Sequence, residues 1–275
     1  MKVFVSIAAL LFASTVYAQT APQTRPEDNV ARPVDAVRTE AMPVNPSLPT
    51  VWIVGDSTAK NKEDLGWGDH FAHYVDTSRL NVVNRARAGR SSRSFIKEGA
   101  WDGALTQMKA GDFVLIQMGH NDGGAVEADP KSRGTLKGTG EETKVLTWPD
   151  GANGSTEVVH TYGWYLRKYI ADARAKGATP ILLTLTIRNI WTAGKIERDM
   201  GYRAEIFAVG EQTKTPVADM SEIAANEFEA MGQEKTAADF PIDHTHTSAA
   251  GAELNAKAVA ESLKAAKLDV AKYLK

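Results

Sequence analysis

The sequence predicts an α/β fold, in which a parallel sheet of about five strands carries helices on both faces. Short runs of Val, Ile and Leu recur along the chain from Thr50 onward, and stretches of helical period separate them. The first three strand runs close on Gly or Asn, which are turn formers. A chain of 275 residues is long enough for one substantial core of this kind, and no internal repeat divides it.

Val51-Trp52-Ile53-Val54 is the first strand and ends at Gly55-Asp56; Val82-Val83-Asn84 is a short second one. Phe113 to Met118 is the third, Ile181 to Leu185 the fourth, and Pro216-Val217-Ala218 a weak fifth. Helical period covers Trp67 to Tyr74, Trp101 to Met108, Val159 to Lys176, Tyr202 to Glu211 and Ser221 to Met231. A last helix runs from near Ser248 to about Ala266. Strands alternating with helices imply crossovers that cover both faces of the sheet. In such open sheets, ligands sit outside the carboxyl ends of the strands. The segment Gly119 to Val158 is too long for an ordinary connection, and it reads either as a cover for one side of that site or as a surface insertion.

Ahead of this domain, Lys2 precedes the apolar run Val3 to Ala13 and the small-x-small pattern Val16-Tyr17-Ala18. Residues 1–18 are therefore expected to be a signal peptide, too short to span a bilayer, and the protein to be exported to the periplasm or the medium. Residues 19–49 hold prolines at 22, 26, 33, 43, 46 and 49 without apolar period, and read as a linker or strap before the domain at 50–275. A formal charge of −2 leaves no footprint for nucleic acid or an anionic membrane, and the mature protein is expected to engage neither. Cysteine is absent, which excludes disulfides, thiolate nucleophiles, iron–sulfur clusters and cysteine-ligated zinc. Any nucleophile must be oxygen or nitrogen.

After the first strand stands Gly55-Asp56-Ser57-Thr58, where a serine just past a tight turn can aim its hydroxyl into the cleft. Taken alone, the same residues make a good turn or helix cap. After the second strand comes Ala88-Gly89-Arg90-Ser91-Ser92-Arg93-Ser94, in which Gly89 permits close backbone approach. After the third comes Gly119-His120-Asn121-Asp122, offering the Asn121 amide as a donor. Before the last helix, Asp243-His244-Thr245-His246 sets an acid three residues ahead of an imidazole. That spacing lets the acid accept from Nδ1–H and leaves Nε2 to take a serine proton.

Two other readings of the histidines stand beside this one. His244-x-His246 with Asp243, or His70-x-x-His73, has donors suited to zinc. Surface histidines near a helix often do nothing, and His70 and His73 are read that way here.

Together the four segments resemble the SGNH (GDSL-like) hydrolase superfamily, whose blocks supply a Ser, a Gly, an Asn and an Asp-x-x-His; here they match Ser57, Gly89, Asn121, and Asp243 with His246. The wording Gly-Asp-Ser-Thr, Ala-Gly-Arg-Ser-Ser-Arg-Ser, Gly-His-Asn-Asp and Phe240-Pro-Ile-Asp-His-Thr-His-Thr-Ser-Ala-Ala-Gly251 is closer to rhamnogalacturonan acetylesterases than to lipases. No Gly-x-Ser-x-Gly elbow is present, so the α/β-hydrolase superfamily fits poorly. The resemblance runs from about Val51 to Leu263. It implies a flavodoxin-like three-layer α/β/α sandwich, a triad of Ser57, His246 and Asp243, and an oxyanion hole from the Ser57 and Gly89 N–H groups with the Asn121 side chain. It implies no metal and no organic cofactor. The long Asp122 to Val158 insertion departs from the pattern beside the cleft.

The function expected is removal of acetyl groups from a plant polysaccharide, rhamnogalacturonan-type pectin first. The same chemistry on xylan, oligosaccharides or small esters is the alternative, and a non-catalytic carbohydrate-binding protein is the second. Arg90, Arg93 and Arg188 are candidates to meet galacturonate carboxylates through a bidentate fork, or else to pair with acidic residues of the chain. Trp191 and Trp148 are candidates to stack on sugar faces, or else to sit in the core.

Overall fold

The first strand, β1 (Thr50–Gly55), is buried along its whole length and sorts its side chains onto two faces. Val51 and Ile53 enter one apolar cluster, while Trp52 and Val54 enter another. A strand buried on both sides lies in the interior of a doubly covered sheet. A computed structural model of the chain describes residues 44–62, 64–147 and 156–275. The expected signal peptide, most of the 19–49 strap and Trp148 lie outside the described residues.

In chain order the other strands are β2 (Asn81–Asn84), β3 (Phe113–Gln117), β4 (Thr143–Thr147), β5 (Thr156–His160), β6 (Thr179–Leu183), β7 (Trp191–Thr192), β8 (Lys195–Ile196) and β9 (Val217–Ala218). Five of them make one sheet in the order β2-β1-β3-β6-β9, with every neighbouring pair parallel. This is the doubly wound order of flavodoxin-like folds, whose crevice opens where the chain reverses direction across the sheet, between β1 and β3.

The helices are α1 (Trp67–His70), which tightens into a 3-10 turn over Phe71–Tyr74, then α2 (Ser92–Lys97), α3 (Ala100–Leu105), α4 (Tyr162–Ala175), α5 (Arg203–Thr213), α6 (Met220–Met231), α7 (Gln233–Ala237) and α8 (Ala249–Ala265). Phe95 of α2, Trp101 of α3, Tyr169 of α4 and Ile206 of α5 pack on the face of Trp52 and Val54. Trp67 of α1 with Val259 and Leu263 of α8 pack on the face of Val51 and Ile53. The result is the three-layer sandwich, and each such large side chain removed from water contributes about 1.5 to 3 kcal/mol.

Several elements differ from the sequence reading. Val159 does not begin a helix: Thr156–His160 alternates as a strand and pairs antiparallel with β4, and α4 starts only after Thr161. The Thr161 hydroxyl accepts from Trp164 N–H and sets that start. The helix expected over Trp101 to Met108 ends at Leu105 and is preceded by α2, whose capping box joins Ser91 and Ser94. Gly99, at φ 72°, separates α2 from α3.

The described part of the long segment after β3 is tied at Leu136 to the chain entering α4. Leu136 N–H donates to His160 O, and Tyr162 N–H to Leu136 O. Leu146 and Val159 turn the inner face of the β4–β5 hairpin to the protein, leaving Val145 and Val158 outward. No helix among the described residues is long and apolar enough to cross a membrane.

Candidate active site

Ser57 sits two residues beyond the end of β1, in a turn built by its neighbours. Asp56 Oδ1 accepts from both the N–H and the hydroxyl of Thr58, at 2.9 Å each, and Asp56 O accepts from Ala59 and Lys60 N–H. Gly55 is required because a Cβ there would stand 2.9 Å from Ala59 Cβ and 3.1 Å from Gln117 O. The turn is locked from below by Gln117 at the end of β3, which accepts from Trp67 Nε1 at 2.6 Å and donates to the Thr58 hydroxyl at 3.0 Å. A turn held this firmly fixes one direction for the Ser57 hydroxyl, which is 8% exposed.

The imidazole arrives from the loop before α8. Asp243 Oδ1 accepts from Thr245 and His246 N–H at 2.7 Å each, which curls the loop and brings positions 243 and 246 together. Asp243 Oδ2 lies 2.7 Å from His246 Nδ1, and His246 Nε2 lies 2.8 Å from Ser57 Oγ. Burial raises the Asp243 carboxyl, but the bonds from the His246 ring, His246 N–H and Thr245 N–H outweigh it and hold the group well below the usual carboxylate range. An ionised carboxylate only accepts, so His246 carries its proton on Nδ1 and presents a lone pair on Nε2 to the serine hydroxyl. His244 points elsewhere: its side chain is exposed and only its carbonyl is engaged, by Asn189 N–H at 2.8 Å.

Donors gather at the ends of β1, β2 and β3. The N–H groups of Ser57 and Gly89 donate to no protein acceptor among the described residues. Gly89 is the third residue of a turn closed by Arg90 N–H to Arg87 O, and its φ of 76° disfavours any side chain there. Asn121 Nδ2 donates to Arg90 O at 3.1 Å, which sets the amide against that turn. Arg133, from the long segment, donates to Asn121 Oδ1 at 3.3 Å and is itself held by Asp129 at 2.8 Å. Sequence reasoning missed Arg133, since nothing local in an insertion announces a contact with the end of β3.

Buried titratable groups underlie the crevice. Burial pushes the Asp122 carboxyl up to about 7, against bonds from the N–H and hydroxyl of Ser92. Asp56 is likewise raised by burial. Burial, with the nearby Arg188 guanidinium, pulls His120 down to about 3, so it is a neutral ring bonded to the Thr186 hydroxyl at 2.8 Å.

The three arginines separate clearly. Arg93 is buried at 1% exposure and forks onto Glu157 of β5, Nε to Oε1 at 2.7 Å and Nη2 to Oε2 at 2.8 Å, with Lys97 on the same carboxylate. It lies under the surface and corrects the expectation of a substrate contact. Arg90 pairs with Glu98 at 2.8 Å, so its fork is also directed to the protein. Arg188 differs from both: no carboxylate pairs with it among the described residues, its Nε is buried without a partner, and only Nη2 reaches His120 O, at 3.5 Å. Trp191 on β7 is half-buried against the cluster of Ile187, Ile196 and Phe228, its Nε1 bonded to Asn189 Oδ1 at 2.7 Å. His70 and His73 stand apart from these groups, beside Glu253 of α8.

The profile of the GDSL-like lipase/acylhydrolase family matches residues 53–254, a span that contains Ser57, Gly89, Asn121, Asp243 and His246. The chain is 34% identical over 213 residues to a rhamnogalacturonan acetylesterase of Emericella nidulans, covering 76% of this chain and 82% of the relative. It is 30% identical over 224 residues to YesY of Bacillus subtilis, described as a probable rhamnogalacturonan acetylesterase, covering 78% of this chain and 92% of the relative. The crystal structure of YxiM from Bacillus subtilis is similar with a TM-score of 0.65 at 28% identity, over 83% of this chain and 59% of that one. A family match across most of the chain, joined to identities of 30% and 34% over most of two relatives, leaves one assignment: the protein belongs to the GDSL-like lipase/acylhydrolase family and is a carboxylic ester hydrolase.

Proposed function

We propose that the protein removes O-acetyl groups from rhamnogalacturonan-type pectin through an acyl-Ser57 intermediate. The observation that carries this reading is the unbroken chain from Ser57 Oγ to His246 Nε2, 2.8 Å, and from His246 Nδ1 to Asp243, 2.7 Å. His246 takes the hydroxyl proton as Ser57 Oγ bonds to the acetyl carbonyl carbon, and ionised Asp243 stabilises the imidazolium that forms. The carbonyl oxygen becomes an oxyanion, met by the free N–H groups of Ser57 and Gly89 and by Asn121 Nδ2. Collapse breaks the bond to the sugar oxygen, which leaves with the proton from His246. Water then repeats the sequence on the acyl-enzyme, giving acetate and restoring the serine.

Two observations favour an acidic polysaccharide. Two relatives are described as rhamnogalacturonan acetylesterases. Arg188, next to Asn121 through the His120 carbonyl, is a cation with no carboxylate of its own among the described residues, and a galacturonate carboxylate would supply one. A polymer cannot enter a cell, which agrees with the export expected from Lys2, Val3 to Ala13 and Val16-Tyr17-Ala18.

The test is acetate release from acetylated rhamnogalacturonan and acetylated xylan, compared with the Ser57→Ala variant and with mass analysis after a serine-directed organophosphonate. Faster release from rhamnogalacturonan and labelling at Ser57 alone are expected. Equal rates on both polymers would overturn the substrate, and labelling elsewhere would overturn the nucleophile.

A further inference from the structure

His70 and His73 face Glu253 of α8 across the gap between α1, its 3-10 extension and that helix. Both ring Nδ1 atoms approach the same carboxylate oxygen, Glu253 Oε2, at 2.7 Å from His70 and 2.9 Å from His73. One donor atom from each of the three residues falls within 4.8 Å of the others. Zinc at about 2.0 to 2.2 Å from nitrogen and oxygen ligands needs such atoms about 3.4 Å apart, so the carboxylate oxygen has to draw back from the two rings by roughly 0.5 to 0.7 Å.

The surroundings point the same way. His70 Nε2 lies 2.7 Å from Asp64 O, an acceptor, so that nitrogen is taken by the backbone and Nδ1 is the ring atom turned to the carboxylate. Tyr74 donates its hydroxyl to Glu253 Oε1 at 2.7 Å, which fixes the carboxylate and leaves Oε2 as the free ligand atom. A backbone carbonyl on the far nitrogen of a histidine and a hydroxyl on the far oxygen of a carboxylate are the outer contacts that orient metal ligands. The His70 side chain is 11% exposed and the His73 side chain 64%, so the cluster is backed by protein on one side and open to a water ligand on the other.

We propose that His70, His73 and Glu253 bind a divalent cation of the zinc class, and that this ion fastens the segment leaving the Ser57 turn to the helix that follows His246. Two imidazoles and one carboxylate suit Zn2+, and also Co2+, Ni2+ and Cu2+, over the hard ions Mg2+ and Ca2+. The ends joined are those that carry the reaction. Trp67 and Gly68 of α1 donate their N–H groups to Thr58 O and Ala59 O, both at 3.0 Å, and α8 begins three residues past His246. In a chain without cysteine, a metal cross-link takes the part a disulfide plays elsewhere. The proposal is independent of the substrate, and acyl transfer at Ser57 does not use the ion.

The test uses the untagged protein, dialysed against EDTA and then titrated calorimetrically with zinc chloride, and separately with magnesium and calcium chloride, near pH 7.5. Expected are one zinc site with a Kd of about 10 μM or tighter, no saturable heat with magnesium or calcium, and a Tm about 5 °C higher at a hundredfold excess of zinc over Kd. His73→Ala and Glu253→Gln should each weaken zinc binding at least tenfold and remove the Tm shift. His73→Ala turnover of p-nitrophenyl acetate without metal should equal that of the wild type, which reports an intact fold. Zinc binding that survives both substitutions, or none below 100 μM, would overturn the site. Binding without a Tm shift would overturn the cross-link.

Discussion

Arg133 donates from Nη1 to Asn121 Oδ1 across 3.3 Å, so a residue of the long segment after β3 grips the amide at the end of that strand. A guanidinium only donates, which fixes the amide with Oδ1 toward Arg133 and Nδ2 toward Arg90 O. Asp129 at 2.8 Å holds Arg133 in turn. The insertion thereby positions the Asn121 amide.

Asn121→Ala is expected to lower kcat by about 10² to 10³ with a much smaller change in KM, because the donor acts on the developing oxyanion. Arg133→Met, which only frees the amide, is expected to cost roughly five- to tenfold in kcat. The double variant should be no slower than Asn121→Ala alone, since Arg133 acts through Asn121. Steady-state rates on p-nitrophenyl acetate decide it: losses that multiply would make Arg133 an independent contributor.

The Arg93 and Glu157 pair ties the same insertion to α2, and it sets an acid limit on stability. Burial raises the Glu157 carboxyl, but the bonds from Arg93 and Lys97 prevail and hold it down at about 2, below its ordinary 4.5. A depressed carboxylate contributes stability above its unfolded value, and that contribution is lost as the pH falls from about 4.5 toward 2. Glu157→Gln leaves the buried Arg93 guanidinium without its counter-charge and is expected to destabilise by about 3 kcal/mol at pH 7. The gap between variant and wild type should narrow below pH 4.5. Urea midpoints at pH 7, 4 and 3 measure it, and a gap independent of pH would locate the stability elsewhere.

This pair also marks where the sequence stopped being informative. The sheet could be read because its central strands are runs of Val, Ile and Leu closed by Gly or Asn, a local signal. Ser57, Asp243 and His246 could be named because a turn glycine and a spacing of three are local as well. Glu157 lies 64 residues from Arg93, and no periodicity announces such a partner, so the sequence left Arg93 open between a fork for substrate and an internal pair. For the same reason Val159 and His160 read as the start of the helix after them, although Thr, Val and Val favour a strand once β4 is there to pair. Glu253 stands 180 residues from His73, and without it the histidine pair has no third donor. The Ser91 and Ser94 capping box of α2, by contrast, was present in the local sequence.

Arg188 offers a direct test of substrate charge, because it has no carboxylate partner among the described residues to lose. Arg188→Met is expected to raise KM on acetylated rhamnogalacturonan about tenfold and leave p-nitrophenyl acetate, which has no carboxylate, nearly unchanged. In 0.5 M salt the wild type should approach the variant, as screening weakens charge pairing at a solvent-open site. A loss of similar size on both substrates would instead show that Arg188 supports the site's structure.

The two neighbouring histidines can be told apart by one pair of substitutions. Asp243 curls its loop by accepting from Thr245 and His246 N–H, and this turns the His246 ring, not that of His244, toward Ser57. The His244 carbonyl holds Asn189 N–H and its side chain is exposed, so removing that ring leaves the loop's hydrogen bonds in place. His246→Ala is expected to lower kcat by about 10⁴, since Ser57 then has no base, and adding Ser57→Ala should cost little more because the two act as one unit. His244→Ala should stay within about threefold of the wild type, a change of less than roughly 1 kcal/mol in the barrier. Thermal unfolding of each variant separates loss of chemistry from loss of fold. A crippled His244→Ala beside a nearly active His246→Ala, both folded, would assign the proton to the wrong ring and break the mechanism at its first step.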